Sequence, residues 1–189
     1  MMGMRRDRMN ICIYGSAAKD IKPVYIEKSE RLGEALAKRG HVIVFGGGAH
    51  GLMGATARGV KRAGGKVIGI IPAFSNLKTD VFPDCDELIQ TETIRQRKQL
   101  LEEKSDAFII LPGVLGTFDE LFETIVLKSL RIQRKPMAVY NINGYFNKLQ
   151  EAVQLGVEEH FIPERNRMLY TMFDRQEEVI VYLEVCHKI

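Results

Sequence analysis

A hydroxyl at Thr117 and a carboxyl at Glu120 stand three residues apart in DAFIILPGVLGTFDELFETIVLKSL, residues 106–130, fed by a small-residue loop, Pro112-Gly113 to Gly116. The apolar run 107–111 stops at Pro112-Gly113, and helical spacing resumes after Thr117, so a strand end here passes into a helix. Two chemistries fit. In the T-x-x-E capping box, Thr117 as N-cap and Glu120 satisfy the first N–H groups of their own helix. Alternatively, those N–H groups hold a phosphate, and the carboxylate faces a substrate. Asp119 and Glu123 add further acids, more than one cap needs, although the helix dipole accounts for some of them. The residues leave cap and catalyst both open.

The stretch TETIRQRKQLLEEKSD supplies a cation. Thr93, Ile94, Arg97, Leu100 and Leu101 share one helical face, whereas Lys98, Glu102 and Lys104 read as solvated. Arg97 therefore lies inside an apolar stripe. An arginine so placed snorkels outward, pairs with a buried acid, or presents its planar donor fork to an anion in a cleft. Arg95, one residue outside the stripe, is placed to help hold phosphate.

The segment VFGGGAHGLMGATARG contains G-x-G-x-x-G as Gly46, Gly48 and Gly51. A dinucleotide fingerprint follows the first strand and is answered roughly twenty residues later by an acid. This one follows the second apolar run, and the next run ends at Ile71-Pro72 with no acid. No Gly-Lys-Ser/Thr occurs, so the chain has no P-loop. What remains is a backbone able to approach a ligand closely, followed by a helix start that offers N–H groups to an anion. Gly15-Ser16 makes a third glycine-bearing loop, and together the three imply a phosphate or nucleotide site. His50 lies in the glycine loop within reach of a ligand. Asp84 and Asp86 of FPDCDELIQ are candidate proton donors.

Elements that must position these groups are legible as an alternation. Apolar runs at 10–14, 42–45, 67–71, 107–111 and 137–140 look like buried parallel strands. Helical patterns lie at 23–39, 51–63, 92–104, 117–132 and 145–156, with a further helix near 174–186 whose EEVIVYLEV also fits a strand. The alternation predicts an α/β fold: one open, doubly wound, mainly parallel, Rossmann-like sheet over residues 9–189, after a frayed start at 1–8, with ligands at the carboxyl ends of the strands.

The 189 residues carry 27 basic and 24 acidic side chains, a net +3 that is too balanced for a nucleic-acid binder. Three scattered cysteines give neither a zinc spacing nor a disulfide framework, which fits a reducing cytoplasm. No apolar stretch suits a signal peptide or a membrane span, and four scattered histidines predict no metal site. The 117–132 helix is apolar over more than one stripe, through Phe118, Leu121, Phe122, Ile125, Val126, Leu127 and Leu130, so it is also suited to a second subunit.

Together these residues resemble the cytokinin riboside 5'-monophosphate phosphoribohydrolase family (LONELY GUY type, formerly known as possible lysine decarboxylases). Its P-G-G-x-G-T-x-x-E motif is similar to Pro112 through Glu120, and its glycine loop to GGGAHGLMG, Gly46 to Gly54. YGSAAKD from Tyr14 and RKPMAVYNINGYFNKL at 134–149 extend the resemblance over residues 9–162. It implies hydrolysis of the N-glycosidic bond of a nucleoside 5'-monophosphate, adenine or cytokinin type favoured, by a homodimer without metal or cofactor. Glu120 and Arg97 correspond to the catalytic pair. Phosphate or nucleotide binding falls to Gly15, Ser16, Gly46, Gly47, Gly48, Gly51, Met53, Gly54, Lys98, Gly113, Gly116 and Thr117. Arg97 is expected to lower the pKa of Glu120 and keep it ionised at neutral pH. Two positions depart from the pattern. Val114 replaces the second glycine of P-G-G, which narrows the loop if positive φ is needed there, and Ile94-Arg95 replaces Met-His. A non-catalytic nucleotide or phosphorylated-cofactor binding protein of the same fold is the alternative.

Overall fold

The computed structural model describes residues 8–73 and 80–188; residues 1–7 of the start expected to fray lie outside the described residues. In chain order the elements are β1 (Asn10–Tyr14), α1 (Pro23–Lys38), β2 (Val42–Phe45), α2 (Gly51–Arg62), β3 (Lys66–Pro72), β4 (Glu87–Thr91) and α3 (Ile94–Glu103). They continue with β5 (Ala107–Ile110), α4 (Leu115–Ser129), β6 (Met137–Tyr140), α5 (Asn147–Glu158), β7 (Thr171–Phe173) and α6 (Gln176–Cys186). The strands form one seven-stranded sheet in the order β4-β3-β2-β1-β5-β6-β7, and every pair is parallel.

Apolar residues fill both faces of the central strands because helices cover both. Ile11, Ile13, Ile43, Phe45 and Ile109 pack with Leu32 and Leu36 of α1, Ala57 and Val60 of α2, and Val179, Ile180 and Leu183 of α6. Cys12, Tyr14, Val44, Phe108 and Ile110 meet Leu101 of α3, Leu121 of α4 and Phe146 beside α5 on the other face. The fold is thus the Rossmann-like α/β sheet that the alternation predicts.

Three details differ from the sequence reading. The edge strands β4 and β7 carry no continuous apolar run: ELIQT is mostly exposed, and TMF is three half-buried residues. The Val-rich segment is α6, a helix, because Val179, Ile180 and Leu183 are buried while Val181 and Val185 stay exposed, a helical period and not an alternation. Finally, α4 begins at Leu115, two residues before Thr117.

The chain runs outward from β1 to β4, then crosses back to place β5 on the other side of β1. Between the carboxyl ends of β1 and β5 the strand order reverses, and a crevice opens there in such sheets. Gly15-Ser16 and Pro112-Gly113 leave those two strand ends side by side, joined by Leu111 N–H donating to Tyr14 O (2.8 Å) and Ser16 N–H to Pro112 O (3.0 Å).

Candidate active site

A cleft of about 580 Å³ fills this crevice. Its rim is tied together by Leu52 N–H at the start of α2, which donates to Ser16 O (2.7 Å). Gly15, Ser16 and Met53 line one side, Gly113, Gly116 and Thr117 another, and Arg97 and Glu120 the floor.

The capping box read at Thr117 and Glu120 is not formed. The N-cap of α4 is Val114, no side chain caps the helix, and Thr117 is buried at its third position. The first-turn N–H groups, at Leu115, Gly116 and Thr117, have no acceptor within the helix. A capping box exists instead at α3, where Thr93 Oγ1 accepts from Gln96 N–H (3.1 Å) and Gln96 Oε1 accepts from Thr93 N–H (3.2 Å). Val114 sits at φ −122°, so the loop needs no left-handed residue at that position. Its side chain is exposed at the cleft mouth with Leu115.

Freed from capping, Glu120 meets Arg97. Arg97 Nη1 donates to Glu120 Oε1 (3.2 Å), and Nε donates to Ile70 O at the end of β3 (2.9 Å). Arg97 does not snorkel; two bonds hold it at the floor. Its guanidinium lies against Gly46 so closely that any side chain there would overlap it, and Gly113 is pressed in the same way against Thr117 Oγ1. These two glycines are needed for close approach.

Burial dominates the Glu120 carboxyl. It raises the pKa from 4.5 to about 7, with the charge of Arg97 and its hydrogen bond pulling the other way. The expectation that Arg97 holds it low is therefore corrected: desolvation of a carboxyl with 8% exposure outweighs one partner. Near neutral pH Glu120 can both give and take a proton.

A second lobe of about 270 Å³ adjoins the first and shares Ala17, Met53 and Arg97 with it. Gly46, Gly48, Pro72, Ile94 and His50 form its walls. His50 Nε2 lies 3.0 Å from Asp80 Oδ1, and Lys19 Nζ lies 3.3 Å from the same oxygen. Those bonds hold the Asp80 carboxyl below its usual pKa.

Several anticipated residues fall elsewhere. Gly47 lies in neither lobe; Gly51 and Gly54 sit against the backbone of Ser16 and Ala49. Lys98 is drawn away by Asp119 (3.2 Å) and Glu123 (2.6 Å), along a groove between α3 and α4. Arg95 and Asp84 are exposed, and Asp86 pairs with Lys61 (3.0 Å) and accepts Val67 N–H (2.8 Å) at the far end of β3. Tyr25 and Tyr145, which no motif announces, face the cleft edge to face with ring centroids 6.2 Å apart, and Tyr145 O–H donates to Gly113 O (3.3 Å).

The model of a family described as possible lysine decarboxylase matches residues 53–183. A cytokinin riboside 5'-monophosphate phosphoribohydrolase of Arabidopsis thaliana is 34% identical over 174 residues, 92% of this chain and 80% of that protein. Another, of Oryza sativa subsp. japonica, is 34% identical over 183 residues, 96% of this chain and 76% of that protein. Among solved structures, the molybdenum cofactor binding protein of Rippkaea orientalis matches at TM-score 0.71 and 23% identity, covering 97% of this chain and 99% of that one. The molybdenum cofactor carrier protein of Chlamydomonas reinhardtii matches at TM-score 0.72 and 20% identity, covering 97% and 100%. At such identities these structures share the fold.

Proposed function

The chain belongs to the family of the cytokinin riboside 5'-monophosphate phosphoribohydrolases, and from that premise we propose that it hydrolyses the N-glycosidic bond of a nucleoside 5'-monophosphate. The products are free base, adenine or cytokinin type favoured, and ribose 5-phosphate. The observation that carries this reading is the buried Arg97–Glu120 pair on the floor of a cleft rimmed by an uncapped helix start.

The 5'-phosphate docks on the first-turn N–H groups of α4, with the hydroxyls of Thr117 and Ser16 beside it, where the positive end of the helix dipole favours an anion. This anchor sets the ribose over Glu120. Bond cleavage builds positive charge on the ribose ring, as in other glycosyl transfers. The carboxylate form of Glu120 stabilises that charge and takes the proton of the attacking water, and Arg97 fixes its position. Water oxygen bonds to C1', and the C1'–N bond breaks with its electron pair moving to the base. The reading calls on no metal and no cofactor.

We further propose a homodimer joined through α4 and its C-cap, where Phe122, Val126 and the cap residue Leu130 recur four residues apart and are 43%, 53% and 64% exposed. A dimeric mass that becomes monomeric in Val126→Asp supports this; a monomeric wild-type mass contradicts it. Free Cys12, Cys85 and Cys186 support a cytoplasmic setting, and the partner is a small nucleotide, with no nucleic acid and no membrane surface. Among the described residues no helix is long and apolar enough to cross a membrane.

The test is chromatography of products from a panel of purine and pyrimidine monophosphates. Base together with ribose 5-phosphate is the expected result. Nucleotide binding with no base released from any member overturns the hydrolase and favours the non-catalytic carrier.

A further inference from the structure

The hydrolysis leaves one demand unmet, because a departing purine must be protonated and Glu120 already serves the water. With phosphate at the start of α4 and ribose over Glu120, the base points past Arg97 into the second lobe, whose Met53, Ile94 and Pro72 offer apolar walls. His50 lines that lobe. An ionised carboxylate only accepts, so the 3.0 Å contact makes His50 Nε2 the donor to Asp80 Oδ1. The orientation of the ring is thereby set, and Nδ1 is left as the exchanging nitrogen. Asp80 fixes the ring, the arrangement in which a carboxylate orients a catalytic histidine.

We propose that His50 is the general acid that protonates the departing base, with Asp80 as its positioning residue; the inference rests on the phosphoribohydrolase reading. As the C1'–N bond breaks and its electron pair moves onto the base, imidazolium Nδ1–H passes its proton to a ring nitrogen of that base. Glu120 receives the water's proton, and exchange with solvent returns one proton to His50, so the cycle closes with no net change on the enzyme.

Leaving-group dependence tests this. AMP needs a protonated leaving group, whereas 4-nitrophenyl ribofuranoside 5-phosphate expels a phenolate that needs none. His50→Gln should lower kcat on AMP by about 10²–10⁴-fold, the usual range for loss of a proton-transfer group, and leave kcat on the nitrophenyl substrate within about three-fold. Asp80→Asn should show the same selectivity with a smaller drop. An equal loss on both substrates, or none on either, overturns the assignment while the hydrolase reading stands. A wild-type protein that releases base from no monophosphate overturns both. Circular dichroism of each variant separates misfolding from loss of the acid, and a folded His50→Gln that keeps full kcat on AMP also contradicts the proposal.

Discussion

At the start of α3, Thr93 accepts the Gln96 N–H and Gln96 accepts the Thr93 N–H, so both side chains serve their own helix. At the start of α4 the same spacing recurs as Thr117 and Glu120, yet neither caps anything. Thr117 is pressed against Gly113, and Glu120 pairs with Arg97 at 3.2 Å. The difference lies in what feeds each helix. Glu92-Thr93 leads from the edge strand β4 straight into α3, whose start is exposed. Pro112-Gly113 leads from the central strand β5, and α4 starts early, on Val114, which carries the T-x-x-E pattern inside the helix. One helix start is finished by its own side chains; the other has no side-chain cap and holds a carboxyl that burial makes costly to ionise. On the proposed reading, the first start serves stability and the second serves the reaction.

Substitution at the α4 pattern should show this most strongly. Glu120→Gln keeps the size of the side chain and an acceptor for Arg97, so it should fold, and kcat should fall by about 10²–10⁴-fold with KM little changed. Undiminished turnover would return Glu120 to a structural role.

The pH dependence of stability comes next. A carboxyl whose folded pKa is about 7 against an ordinary 4.5 favours the fold fully below pH 4.5, and that contribution is lost as pH rises through 7. At about 1.36 kcal/mol per pKa unit, the full swing is on the order of 3 kcal/mol. Denaturant titrations from pH 4 to 8 should show wild type losing stability relative to Glu120→Gln by that order. Parallel curves would mean that the carboxyl is not held in a desolvated state.

Thr117→Val is a smaller perturbation. Removing the hydroxyl beside the phosphate should raise KM for the nucleotide by about ten-fold, on the order of one hydrogen bond to a charged group, with a melting midpoint near that of wild type. Thr93→Ala should do the opposite: lose about 1 kcal/mol of stability, as at other N-caps, and leave kcat/KM unchanged. If Thr117→Val costs stability and not affinity, the contrast between the two helix starts collapses.

Much of this was legible in the chain. The central strands are continuous apolar runs because both faces are covered, and glycine-bearing loops at their ends mark the crevice. Arg97 stands out because a cation inside an apolar stripe needs a partner, and the partner is Glu120. Edge strands β4 and β7 were hidden because a half-exposed strand need not be apolar. The true start of α4 was hidden for another reason: a capping pattern is local, whereas helix phase here follows where β5 ends. Lys98 beside Arg97 was read into the site, but one residue along a helix turns a side chain by about 100°, and Asp119 and Glu123 claim it. The His50–Asp80 contact spans thirty residues of chain, and Tyr25 and Tyr145 meet from α1 and the loop before α5, so neither pairing leaves a spacing to read.

The most direct measurement is the ratio of kcat/KM for AMP to that for adenosine with the wild-type protein. A phosphate anchored at the start of α4 predicts base release from AMP and a ratio above about 10², since lost binding to a phosphate is felt in the transition state. A ratio near one, or release from neither compound, would contradict the account, because the uncapped helix start would then have no part in the reaction.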